Sequence, residues 1–162
     1  MILGMSIADF TTLHVVVSLL GIVSGLTVLV GMLGSRTLPG WTAFFLITTT
    51  LTSVTGYFFP SSDIKPSHIV GAISLVLLAL AFVGLYVYKL VGHWRWIYVV
   101  SAGLSLYLNC FVLVVQGFLK VAALQRLAPT QTEPAFAAAQ GLTLLVFLAV
   151  IFFAARRFRP RG

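Results

Sequence analysis

Charge is scarce in this chain. Of its 162 residues only 8% are Asp, Glu, Lys or Arg, while 60% are hydrophobic. A soluble globular domain carries about a quarter charged residues. A surface so poor in charge cannot be wetted, so lipid must cover it, and a water-soluble fold is excluded. Acids are scarcest: Asp9, Asp63 and Glu133 are the only three. All are expected near one membrane face, which leaves no buried carboxylate pair for acid–base chemistry. The single cysteine, Cys110, excludes an intrachain disulfide and a CxxC redox pair. It lies in an apolar run and is expected to pack as a small hydrophobe. The chain also lacks GxSxG, a P-loop, a glycine-rich dinucleotide fingerprint, and HxxxH or HExxH metal spacing. The opening MILGMSIADF has no Lys or Arg. Without a basic leader the first apolar run is expected to be a retained span, not a signal peptide.

What the chain has is long apolar runs. A membrane-crossing helix needs about 20 mostly apolar residues, and five stretches qualify: residues 10–33, 41–59, 67–90, 96–119 and 136–155. The expected fold is an all-α integral membrane protein, a single transmembrane domain over residues 1–162 built as a five-helix bundle. The connectors GSRTLPG, PSSDIKP and KLVGHWR carry turn residues. The fourth connector, Lys120 to Pro134, opens on an amphipathic KVAALQRLAP that suits a membrane surface. Thr132 is placed to cap the fifth span, with Pro134 in its first turn.

Seven basic residues (Arg36, Lys89, Arg95, Arg156, Arg157, Arg159 and Arg161) fall on one side of this arrangement, and Lys65, Lys120 and Arg126 on the other. The positive-inside rule makes the first side cytoplasmic, with the N-terminus out and the C-terminus in. The formal charge of +7 is therefore read as orientation, not nucleic-acid binding. Trp41, Trp94 and Trp96 fall at the inner interface, where an aromatic belt is expected.

Polar groups inside a bilayer are costly and face other helices or a cavity. On the fourth span Ser101, Ser105, Asn109, Gln116 and Lys120 recur at helical spacing and form one stripe. They either tie helices together or line a polar path; Asn109, Gln116, Lys120 and Gln140 are the candidate cavity residues. The second span is rich in hydroxyls, with Thr48, Thr52 and Thr55 on one face. Thr can return its hydroxyl to its own helix, so this run need not be a site. Small residues at Gly21 and Gly25, and again at Ala137 and Gly141, signal close helix packing first and dimerisation second.

His14 and His68 are the candidates for chemistry. Both fall near the outer face, each above small residues on its own helix. Two imidazoles at similar depth suit a b-type haem or a transition metal, and Glu133, Asp63 and Asp9 could add oxygen ligands from the same side. The plain alternative makes each an interfacial residue with its polar tip among the headgroups. His93 is read as an inner interface residue.

The segments TSVTGYFFP, PSHIVG, YLNCFVLVVQGFLK and APTQTEP resemble a widespread family of small bacterial multi-span inner-membrane proteins. The resemblance covers most of the chain from Trp41 onward. It implies residence in the bacterial inner membrane and carries over no activity. On His14 and His68 alone the chain also resembles small haem-binding membrane cytochromes, departing from them in its number of histidines.

Three functions follow as expectations. The first is a haem- or metal-binding redox module at the outer-side histidines. The second is a transporter or channel on the fourth-span stripe, which would need several copies because five helices enclose little pore. The third is an accessory subunit of a larger membrane complex.

Overall fold

The computed structural model describes residues 1–60 and 66–160. Asp63, Lys65 and Arg161 lie outside the described residues. Among the described residues six α-helices follow one another: α1 (Ile7–Leu33), α2 (Pro39–Thr55), α3 (Pro66–Phe82), α4 (Trp94–Lys120), the short α5 (Ala122–Leu127) and α6 (Pro134–Arg157). A 3₁₀ turn, Gly56–Phe58, follows α2, and a π-turn, Val83–Val87, extends α3.

The helix starts have local causes. Ser6 caps α1, its Oγ accepting from Asp9 N–H at 3.1 Å while its own hydroxyl donates to the Asp9 carboxylate at 2.6 Å. This reciprocal exchange satisfies donors that a helix start leaves open. Proline stands in the first turn of α2 and of α6, where its fixed φ suits the helix and its missing N–H costs nothing. Thr132 does not cap α6 as expected. Glu133 holds the cap position without a side-chain cap bond, and the Thr132 hydroxyl pairs with Thr130 instead.

Among the described residues four helices are long and apolar enough to cross a membrane: α1, α3 with its π-turn, α4 and α6. The second expected span, 41–59, falls on the 17-residue α2 and its 3₁₀ turn, which are not among these four. Lipid must cover much of this bundle. Val30, Val76 and Leu145 are each about two-thirds exposed, and only 11% of the apolar stretch of α6 is buried, against 44% for α1. Such apolar exposure on every side is consistent with a membrane protein.

α4 is the central helix and packs against α1, α3 and α6, while α2 packs along α1 and against α3. The core gathers Met32, Phe45, Val99, Ala102, Leu106 and Ile151, and Cys110 packs at its edge. The expected small-residue packing at Gly21 and Gly25 is realised on α1. A Cβ at Gly25 would come within 2.6 Å of Leu106 and 2.7 Å of the Phe45 ring, so α1 rests directly on α2 and α4. Gly141 differs, since nothing lies within 4 Å of the place its Cβ would take. That face of α6 points away from the bundle.

Candidate functional site

α2 runs antiparallel to α1, so its last turn lies beside the first turns of α1. His14 Nδ1 sits 2.8 Å from Thr55 Oγ1. The Thr55 hydroxyl also lies 2.6 Å from the Leu51 carbonyl of its own helix. A hydroxyl has one proton to give. With that proton on Leu51, Thr55 accepts from His14, so Nδ1 carries the imidazole hydrogen and Nε2 keeps its lone pair. Phe59 stands edge-on to the His14 ring at 5.2 Å, and the buried Phe10 meets Phe59 at 5.2 Å and Phe58 at 6.4 Å.

The same five-residue stretch receives the second histidine. The Tyr57 ring stacks on His68 at 5.4 Å, nearly parallel, and its hydroxyl donates to the His68 carbonyl at 2.6 Å. Gly71 makes room, because a Cβ there would press on the Tyr57 ring at 3.2 Å. Both histidines thus lie at one end of the bundle and both rest on Thr55–Phe59.

The two described acids, Asp9 and Glu133, serve local turns. Asp9 is engaged with Ser6, and the Glu133 carboxylate accepts from the Thr130 hydroxyl at 2.8 Å and from the backbone N–H of Thr130 and Thr132. Desolvation works to raise the Glu133 pKa, but these hydrogen bonds outweigh it and hold the carboxyl below the usual range. Among the described residues no three of His, Cys, Asp and Glu gather into a group able to hold a metal, so Glu133 does not join His14 and His68 in one.

The fourth-span stripe divides along its length. Ser101 and Ser105 are buried and return their hydroxyls to carbonyls of α4. Asn109 turns toward α1, its Nδ2 3.6 Å from the Cβ position of Gly21, where Thr49 Oγ1 also points at 3.1 Å. Neither atom has a partner, and both are buried. Gln116 and Lys120 face outward. Gln140 reaches α4 from α6, its Nε2 donating to the Phe111 carbonyl at 3.2 Å, with its Oε1 buried and unpaired.

Most other buried hydroxyls of the interior serve their own helices: Ser24, Thr48, Thr52 and Ser53 each donate to a carbonyl three or four residues back. Ser53 Oγ also lies 3.2 Å from Ser74 Oγ of α3, where it can accept the Ser74 proton. This is the structural glue expected of hydroxyls in an apolar bundle, and Thr49 stands apart from it.

Sequence reasoning named His14, His68, Asn109 and Gln140 but not their supports. Thr55 was placed on a hydroxyl face without its link to His14, and Tyr57 was not singled out. Gln131, which donates to the Val115 carbonyl at 2.9 Å, gave no signal because it sits in a turn-rich connector. Compared with protein-family models, curated proteins and solved structures, the chain matches none.

Proposed function

We propose that this chain is a multi-pass protein of the bacterial inner membrane, crossing it five times with the N-terminus out and the C-terminus in. Its working end is the histidine end, where His14 Nε2 ligates a haem iron. The fifth crossing is α2. Its 17 residues and three-residue 3₁₀ turn reach about 31 Å, which matches a hydrocarbon core of about 30 Å. Contacts support this depth: Thr42 near the start of α2 and Tyr98 near the start of α4 line one cavity, and Thr55 at its end meets His14 near the start of α1. With Cys110→Ala as background, Thr37→Cys and Pro60→Cys flank α2. An impermeant thiol reagent should reach position 60 in intact cells and position 37 only after lysis. Labelling of both from one side would remove α2 as a crossing.

The observation that carries the haem reading is the 2.8 Å contact of His14 Nδ1 with Thr55 Oγ1, whose own proton goes to the Leu51 carbonyl and so leaves Nδ1 to donate. Ligating histidines commonly donate their second ring N–H to a neighbour, which fixes the tautomer and aims the lone pair at the metal. A bare transition metal needs three or four protein donors, and the described residues gather no such group. Haem brings four nitrogens of its own and asks the protein for one or two, so it fits this donor set better. Its iron would supply one-electron redox chemistry. The protein's part is to hold the imidazole, with Phe10, Phe58 and Phe59 walling that rim against water. Protein purified from haem-replete cells should show a Soret band that His14→Ala abolishes. A spectrum featureless before and after haemin addition would dispose of the reading.

A second reading is favoured by Thr49 Oγ1 and Asn109 Nδ2, two unpaired polar atoms facing one spot beside Gly21. Buried polar groups are rarely left unpaired and mark places where water or a polar solute binds. In this reading several copies assemble into a transporter or channel using the α4 stripe. The Thr49→Val/Asn109→Leu double variant should lower solute or proton flux in liposomes while staying folded. Unchanged flux would leave the pair as a packing defect.

A further inference from the structure

The opposite end of the bundle is basic, and its charge is organised around a groove. α1 ends in a Schellman turn: Ser35 N–H donates to the Met32 carbonyl and Arg36 N–H to that of Gly31, with Ser35 in the left-handed region at φ 56°. The chain after α6 folds back onto this turn. Phe158 is buried beside Tyr98, and the Arg95 guanidinium donates to its carbonyl. The next residue, Arg159, donates its backbone N–H to Ser35 Oγ at 2.8 Å. Tail and turn are thereby tied together, with Arg36 and Arg159 lining one open groove alongside Ser35 and Thr37.

Beneath that groove lies a cavity of about 160 Å³ that shares Arg36 and Thr37 with it. Its walls are mainly apolar, from Val28, Met32, Leu85 and Phe158. Two arginines, Arg36 and Arg159, therefore line the open groove, and Arg36 also lines the apolar cavity. The described acids, Asp9 and Glu133, are both at the other end, so no described carboxylate offsets them. Like charges so placed favour an anion between them. Ser35 Oγ accepts from Arg159, which leaves its own proton to give.

We infer that this groove binds the phosphate headgroup of an anionic phospholipid. Arg36 and Arg159 hold the phosphate, and the cavity beneath takes an apolar portion of the same lipid. Basic pockets between helices at the cytoplasmic side are suited to such headgroups, and the paired forks of arginine match phosphate geometry. The site is separate from the histidine end and stands or falls independently of it.

Native mass spectrometry of the full chain, offered equal phosphatidylglycerol and phosphatidylcholine in detergent, tests this. The wild type should retain phosphatidylglycerol in preference. Arg36→Gln/Arg159→Gln should cut that preference about tenfold or more, while Arg126→Gln, at the other end, should not. Ser35→Gly, which keeps the turn but frees Arg159, should weaken it while leaving the fold intact. Equal retention of the two lipids by the wild type, or an undiminished preference in the double variant, would overturn the inference. So would displacement of the lipid by millimolar inorganic phosphate alone, because the cavity would then contribute nothing.

Discussion

His14 and Thr55, 41 residues apart in sequence, meet at 2.8 Å through Nδ1 and Oγ1. Because Thr55 gives its proton to Leu51, the contact decides which ring nitrogen of His14 stays open. Nitrogen NMR of ring-labelled protein should show the Nδ1–H tautomer, and Thr55→Val should let the two tautomers mix at a cost of about 1 kcal/mol. A wild-type ring protonated on Nε2 alone would refute the assignment.

The two glycine motifs should respond in opposite ways. At Gly25 a methyl group meets Leu106 and the Phe45 ring, both almost fully buried. Gly25→Ala should therefore destabilise by about 1–3 kcal/mol through overpacking. Gly141 has open space around it, so Gly141→Ala should be neutral or stabilising by up to about 1 kcal/mol through helix propensity. Thermal unfolding in detergent reads both. A Gly141→Ala loss matching that of Gly25→Ala would mean that a second copy packs on α6.

Ser35 separates backbone strain from side-chain bonding. Its left-handed φ costs an ordinary residue about 1–2 kcal/mol, while its hydroxyl holds the tail through Arg159. Ser35→Ala keeps the strain and loses the bond, so stability should fall by about 1 kcal/mol. Ser35→Gly loses the bond but relieves the strain and should come out more stable than the alanine variant. The reverse order in thermal melts would show that the turn is unstrained.

The Glu133 turn should be sensitive to acid in one direction. Its carboxyl is held below the usual range by hydrogen bonds to the ionised form. A depressed folded-state pKa adds stability above the unfolded value, and that stability is lost as pH falls through the folded one. The protection of the Thr130 and Thr132 amides, relative to their intrinsic exchange rate at each pH, should thus be high at neutral pH and fall only in acid below the ordinary glutamate range. Glu133→Gln should give the lower protection already at pH 7. Protection insensitive to both changes would show that the turn does not depend on the carboxylate.

The long helices were legible in the sequence because lipid imposes a simple demand: about 20 apolar residues with internally satisfied backbone. Glycine, proline and the basic residues between the runs marked where helices stop, and α1, α4 and α6 begin and end within three residues of expectation. The second run was harder. Its hydroxyls and its 3₁₀ ending leave a 17-residue α-helix that is not among the four described helices long and apolar enough to cross a membrane. The chemistry of single side chains was less legible still. Periodicity put Ser101, Ser105, Asn109, Gln116 and Lys120 on one stripe, yet the first two are buried and the last two exposed, because α4 has neighbours along only part of that stripe.

Sequence by itself determined that this chain is helical and apolar, that its basic residues collect at one end, and that histidine, hydroxyl and amide are nearly all the chemistry it holds. Those are properties of composition and local spacing. The tertiary structure decided which of these groups meet. It put Thr55 under His14, Tyr57 under His68, Thr49 and Asn109 against Gly21, and Arg159 beside Arg36. Each pairing joins residues from different helices or from a loop and the tail. Their proximity comes from how closely the helices pack and which way the chain folds back, and no local pattern encodes either.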